Sequence, residues 1–494
     1  EYGVVGKMDL LRGVVEAHRD GFGFVLQKDS EDIYLSANEM RRVFHGDEVL
    51  VSIAGENRRG QLEGKVVEII ARHTNRIVGR LKRDAGLYFV VPDNPRITHD
   101  ILIDKGDRQK ANPGEYVTVE ITEYPDWQTR AKGIIAEVLG APMAPGLEID
   151  IAIRSHALPY EWPAQALDEA AELGEEPAKQ DKKHRVDLRD LPLVTIDGED
   201  ARDFDDAVYC EPGKRGSFKL WVAIADVAHY VPLHSALDSE AFQRGNSVYF
   251  PGRVVPMLPE AISNGLCSLN PAVDRLCMVA EMTISAAGKL TGYEFYEAVM
   301  HSHARLTYTE VAEALGLIDR KPRQGLMQRV EPLLPHLENL NKLFHVLRNS
   351  RSQRGAIDFE TVETQIVFNE QRKIDAIVPV VRNDAHKIIE ECMLCANVAA
   401  AGFLQRSDLD ALFRVHEGPK PEKLQNLRAY LGEMGLSLGG GDKPSPKDYQ
   451  ALMQGIDERP DAHLIQVMLL RSLSQAVYDP ENNGHFGLAY DAYA

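Results

Sequence analysis

The chain has 494 residues, 44% hydrophobic and 27% charged, with 56 Lys and Arg against 75 Asp and Glu for a net charge of −19. Such a length allows about three or four domains, the composition is not that of a disordered chain, and no run reaches the ~18 apolar residues a membrane span needs. The acidic balance argues against a surface that binds phosphate everywhere, since non-specific nucleic-acid affinity comes from Lys and Arg displacing counterions, but it leaves room for a local basic channel.

The opening ten residues show no basic segment followed by an apolar one, so no secretion signal is visible. Residues 1–140 contain an internal repeat. Arg12-Gly13-Val14-Val15, Asp20-Gly21-Phe22-Gly23-Phe24-Val25, Asp32-Ile33-Tyr34-Leu35 and His45-Gly46-Asp47-Glu48-Val49 are followed by Val78-Gly79-Arg80-Leu81, Gly86-Leu87-Tyr88-Phe89-Val90-Val91, Asp100-Ile101-Leu102-Ile103 and Pro113-Gly114-Glu115-Tyr116-Val117. Gly13 to Gly79 is 66 residues and Gly46 to Gly114 is 68. Alternating Val, Ile, Phe and Tyr between Gly, Asp and Asn reads as strands and turns, which suits two small closed barrels of the OB type at 1–70 and 71–140. Phe22 and Phe24, two apart, leave one face of a strand, and Tyr34 on the next strand can join them. Such rings either stack single-stranded bases or fill a barrel core.

Residues 141–190 are rich in Pro, Ala and charge and read as a connector with one helix around Pro163 to Leu173. From 191 onward, strand-like stretches (Val194 to Ile196, Ala207 to Cys210, Leu220 to Ala225) give way to long helical patterns, so 191–494 reads as one large α+β domain. Between the first two strands, six carboxylates occupy the ten positions 197–206, with only Arg202 among them to compensate. Such crowding needs full solvation or cations. Oxygen-only ligands suit Mg²⁺ or Mn²⁺, no His or Cys accompanies them as zinc prefers, and the spacing of a calcium-binding helix-loop-helix is absent. Five cysteines (Cys210, Cys267, Cys277, Cys392, Cys395) are too few for a disulfide framework and fit a reducing compartment, the cytoplasm by default. Cys392 and Cys395, three apart in a helical pattern and with no second pair, read as core.

Asp197-Gly198-Glu199-Asp200-Ala201-Arg202-Asp203-Phe204-Asp205-Asp206-Ala207 and Val222-Ala223-Ile224-Ala225-Asp226-Val227-Ala228-His229-Tyr230-Val231 resemble the catalytic signature of the ribonuclease II/ribonuclease R family. Ser247-Val248-Tyr249-Phe250-Pro251, Arg354-Gly355-Ala356-Ile357-Asp358-Phe359 and Ile388-Ile389-Glu390-Glu391 resemble further segments of it, and the Gly-Phe-Gly-Phe module resembles cold-shock domains. The likeness runs from about Leu10 to Ala494, and the wording of the first module is nearer to the ribonuclease R branch. The resemblance implies a processive 3′-to-5′ exoribonuclease that hydrolyses RNA to nucleoside 5′-monophosphates with Mg²⁺.

It implies four catalytic, metal-holding aspartates, Asp197, Asp203, Asp205 and Asp206. It also implies a clamp on the terminal bases from Tyr249 and Phe359, a ribose or base contact from Glu390, and RNA stacking on Phe22, Phe24 and Tyr34. Read from the residues alone, Tyr249 and Phe359 are equally core aromatics, Glu390 a solvated helix residue, and Glu391 a rival to it. RNA is the implied partner of a monomer, with the ribosome or the RNA-decay machinery as further candidates and no membrane. The family continues past Ala494 into an arginine-bearing stretch and an OB-type domain, so the catalytic domain is expected to be truncated here. The rival expectation is a non-catalytic RNA-binding member of the same family.

Overall fold

A computed structural model describes residues 10–27, 31–57, 59–359, 363–407 and 409–494. The chain divides into two compact units, the first comprising 1–161, 249–255 and 366–377, the second 162–248, 256–365 and 378–494.

The first unit holds two closed five-stranded barrels. One is built from Leu10–Ala17, Gly23–Leu26, Ile33–Leu35, Glu48–Glu56 and Leu62–Ala71, the other from Arg76–Asp84, Leu87–Pro92, Ile101–Ile103, Tyr116–Glu123 and Lys132–Gly140. Strict alternation drives both: Val15, Val25, Ile33, Leu35, Val49 and Val51 point inward in the first, and Leu81, Val90, Ile101, Val117 and Val119 in the second. The repeated glycine has a steric cause. A Cβ on Gly13 would lie 2.4 Å from the Leu26 carbonyl oxygen, and one on Gly79 2.3 Å from that of Val91.

The barrels share a seam. Phe44, 1% exposed and carried by the first module, packs in the core of the second barrel with Leu81, Val90 and Ile101. Asp47, fully buried, receives Arg72 Nη1 at 2.7 Å, and the Arg72 guanidinium lies 4.5 Å from the ring centre of Tyr124 in the second module. His99 Nε2 is 3.0 Å from the Arg41 carbonyl oxygen.

The connector carries two helices where the sequence reading expected one. Leu147–Ser155 buries Leu147 and Ile153 within the first unit and ties Arg154 to Glu137 at 2.7 Å, whereas Ala164–Glu172 buries Ala166 and Ala170 within the second. The overlooked helix is nine residues long, rich in Ile and preceded by Pro145-Gly146, so its pattern is too short and too β-branched to read as helical.

The second unit is organised by a seven-stranded mixed sheet in the order Val186–Leu188, Leu290–Met300, Arg275–Ile284, Phe218–Ala225, Asp206–Pro212, Val194–Asp197, Ala304–Thr307. Both faces are covered, which is why its central strands are almost continuously apolar. Val208, Cys210, Leu220 and Val222 meet the helices Leu334–Arg354 and Asp384–Arg406, while Tyr209, Trp221 and Ala223 meet Leu237, Ile262 and Leu266. The helix Asp384–Arg406 is long and apolar enough to cross a membrane by length and composition, but its apolar side chains Ile388, Ile389, Cys392, Cys395 and Ala399 lie in this core. A cluster of three helices, Pro421–Glu433, Pro446–Ile456 and Ala462–Ser472, packs around Tyr449 and Leu431.

Candidate active site and nucleic-acid platform

The acidic loop hangs between two paired strands. Asp197 ends Val194–Asp197, Asp206 opens Asp206–Pro212, and Val194 pairs with Val208. The loop is pinned along its length. Phe204 is buried; its amide donates to Ser268 Oγ at 3.0 Å, its carbonyl accepts from Leu269 N at 2.8 Å, and the Arg305 guanidinium sits 4.1 Å over its ring. Arg305 Nη2 also donates to the Ala201 carbonyl at 2.5 Å, the Ala225 amide donates to the Asp205 carbonyl at 2.9 Å, and Gln365 Nε2 donates to Asp200 Oδ2 at 3.1 Å. A merely solvated acidic loop does not need such anchoring.

The consequence is electrostatic strain. Burial, then the charges of Asp203 and Asp197, push the Asp205 carboxyl upward. Burial, then Asp197 and Asp205, push Asp206 up to about 7, and its Oδ2 is buried with no hydrogen-bond partner in the protein. Among the described residues no three His, Cys, Asp or Glu side chains already stand in a metal-ligating arrangement. The fit to a cation therefore rests on the shared field of Asp197, Asp203, Asp205 and Asp206, on their all-oxygen character and on the orphaned Asp206 oxygen. These are what a hard divalent ion relieves.

Two further groups enter the site that motif reading missed. Strand Ala304–Thr307 pairs in parallel with Val194–Asp197, Thr307 opposite Asp197, so the next residue, Tyr308, reaches Asp197. Burial, then the negative charges of Asp197 and Asp206 close by, hold its phenol protonated. His386 stacks on Tyr308 with ring centres 4.0 Å apart; burial, then the charge of Arg382, lowers its pKa.

Glu390 is half-buried rather than solvated, between Arg351 at 2.8 Å and Arg382 at 2.7 Å. Although burial works against its charge, these two arginines hold its carboxyl below the ordinary value. Glu391 also meets Arg351, at 2.9 Å, but is buried, so Glu390 is the more accessible of the two. Phe359 belongs to the second unit and packs partly against its helical cluster, whereas Tyr249, 66% exposed on the strand Val248–Phe250, belongs to the first. Cys392 and Cys395 are buried free thiols.

In the first barrel Phe22, Phe24 and Tyr34 are half-buried on the outer face, opposite the core residues Val25, Ile33 and Leu35. Their ring centres lie 5.7–5.9 Å apart. His18, which motif reading passed over, stacks on Phe22 at 4.4 Å. The second barrel offers no copy of this surface: Tyr88 is buried, receives Arg108 Nη1 on its hydroxyl at 3.0 Å and leaves only Phe89 half-exposed.

Comparison with known proteins agrees with this architecture. Residues 185–494 match the RNB domain family, 89–163 the cold shock domain and 13–69 the ribonuclease B OB domain. The chain is 55% identical over 497 residues to ribonuclease R of Vibrio cholerae and 52% identical over 494 residues to that of Escherichia coli strain K12, covering all of this chain and 60% of each relative. It thus spans about three-fifths of the length of these relatives. Among solved structures, Mycoplasma genitalium RNase R in complex with ribose-methylated single-stranded RNA superposes with a TM-score of 0.89 at 28% identity, over 98% of this chain and 76% of that one. Yeast Ssd1, a pseudonuclease, shares the fold with a TM-score of 0.68 at 16% identity, over 99% of this chain and 67% of that one. Nucleases of the RNB type are metal-dependent. With the RNB domain spanning well over half of its residues, the chain belongs to the ribonuclease II/ribonuclease R family of RNB-domain proteins.

Proposed function

We propose that this chain carries the catalytic core of a Mg²⁺-assisted, processive 3′-to-5′ exoribonuclease, with Mn²⁺ as a substitute ion, that hydrolyses single-stranded or structured RNA to nucleoside 5′-monophosphates in the cytoplasm. The observation that carries the reading is the anchored loop that crowds Asp197, Asp203, Asp205 and Asp206 at the edge of two sheet strands, with Asp206 raised to about 7. These four residues would hold the metal, which supplies an activated water and charge stabilisation at the leaving 3′ oxygen. Asp206, raised to about 7 by burial and by Asp197 and Asp205, would give up its proton where such an ion is held. Tyr308, kept protonated, donates to Asp197 and fixes that carboxylate's orientation. Glu390, held as an anion by Arg351 and Arg382, accepts from a sugar hydroxyl of the terminal nucleotide, and Tyr249 and Phe359 stack on the 3′-terminal bases. Phe22, Phe24 and Tyr34 hold the incoming strand by stacking, which is indifferent to sequence.

The fold itself does not decide between hydrolysis and binding alone, since a pseudonuclease shares it. End-labelled RNA and DNA, with and without Mg²⁺, separate the two in a chain that carries the complete catalytic domain. Mononucleotide release from RNA only, dependent on Mg²⁺ and abolished in Asp205→Asn while binding persists, is the expected result. Wild-type rates in Asp205→Asn would reject the aspartate assignment, and binding without any cleavage would leave the non-catalytic reading.

A further inference from the structure

The outer face of the first barrel carries a row of three side chains across three strands. Glu16 is the Cα partner of Phe24, and Phe24 of Tyr34. Val15, Ala17, Val25, Ile33 and Leu35 are buried, so the alternation of a strand turns Glu16, Phe24 and Tyr34 together to the opposite face. A carboxylate-bearing side chain therefore stands directly across from a ring of the stacking surface, their Cβ atoms about 5 Å apart by strand geometry. A phosphodiester drawn along those rings meets an unfavourable charge there.

The second barrel answers it. Arg96, in the turn after Leu87–Pro92, brings Nη1 to 3.6 Å from Glu16 Oε1 and 3.3 Å from His45 Nε2. Burial, then the charge of Arg96, lowers the pKa of His45, so the imidazole adds no competing positive charge beside the contact between Arg96 and Glu16. Both contacts use Nη1, and among the described residues no other hydrogen bond engages the guanidinium. The Arg96 side chain is 47% exposed and that of Glu16 43%. An ion pair this open contributes little to folding, so stability is a weak reason for it. Nor is Arg96 on a loosely tethered module: the Phe44 plug and the Asp47–Arg72–Tyr124 contacts fix the second barrel against the first.

We infer that Arg96 of the second barrel is a working part of the first barrel's single-strand platform, masking Glu16 and offering its remaining guanidinium N–H groups to a phosphate of the strand stacked on Phe24 and Tyr34. The platform is then composite, and binding by one barrel depends on a side chain from the other. This rests on the reading of those rings as an RNA-stacking surface.

The test measures binding of a fluorescent oligouridylate by the whole chain in the Asp205→Asn background, against salt concentration, for Arg96→Gln, Glu16→Gln and Phe24→Ala, with a melting curve for each. Loss of one phosphate contact on a single strand makes the slope of log K against log salt shallower by about 0.7, hence roughly fivefold weaker binding at 0.1 M salt. Arg96→Gln is expected to show that loss with an unchanged melting temperature, and Glu16→Gln to bind as well as or better than its parent. Unchanged affinity and slope in Arg96→Gln, or weakened binding in Glu16→Gln, overturns the inference; should Arg96→Gln fail to fold, Glu16→Gln decides alone. If Phe24→Ala weakens binding and Arg96→Gln does not, only this inference falls. If Phe24→Ala also binds like its parent, the stacking surface itself falls with it.

Discussion

Replacing Asp206 by Asn isolates the cost of the carboxylate cluster. Its carboxyl rises from an ordinary 3.8 to about 7, chiefly through burial and then through Asp197 and Asp205. A carboxyl whose folded-state pKa lies above its unfolded one holds its proton more tightly when folded. The stability it forfeits is therefore lost progressively as pH rises from about 4 to about 7 and stays lost above. At 1.36 kcal/mol per tenfold in proton affinity, the metal-free cost at pH 8 is at most about 4 kcal/mol. Asn keeps the shape and has no charge to bury. In EDTA, melting curves should show Asp206→Asn gaining on the wild type from pH 5 to pH 8, by several degrees at the upper end. Adding Mg²⁺ at pH 8 should reverse the order, because the ion relieves the wild-type carboxylate and finds one ligand fewer in the variant. A difference independent of pH, or a variant less stable than the wild type at pH 8 in EDTA, would refute the strained cluster.

Phe24→Ala should weaken single-strand binding by about 1 to 3 kcal/mol with little change in melting, because the ring lies on the outer face; a loss of about 3 to 5 kcal/mol in stability would instead mark it as core. Tyr249→Ala should shift the limit product to longer oligonucleotides with a modest rate loss, read as a ladder on a denaturing gel, and an unaltered ladder would remove Tyr249 from the clamp. Tyr308→Phe removes the hydroxyl proposed to donate to Asp197 while keeping the stack on His386. It should lower kcat by roughly tenfold, the worth of about one hydrogen bond to a charged group, with KM unchanged; equal changes in both would point to a role in binding.

The features legible in the sequence are those written in local patterns. Gly13 and Gly79 mark the repeat because each lies against a neighbouring strand's carbonyl, a constraint that removes the side chain wherever the module recurs. The acidic loop stands out because six carboxylates between two apolar strands have no ordinary structural reason. What escaped was set by pairing at a distance. Tyr308 reaches Asp197 only through a parallel register joining residues more than a hundred positions apart, and Ser268 and Arg305 brace the loop from strands and turns with no motif of their own. The second module keeps Tyr88 and Phe89 without the Gly-Phe-Gly-Phe alternation, and Tyr88 lies inside the barrel.

The Phe44 plug changes what the repeat means for anyone who would cut or transplant it. The two barrels resemble interchangeable beads, but one has lent a ring to the interior of the other. A second bead made alone would carry a phenyl-sized hollow among Leu81, Val90 and Ile101, and a first bead grafted elsewhere would present a bare aromatic to water. A duplicated module has become half of an indivisible pair, so the natural scissors point lies after the second barrel rather than between the two.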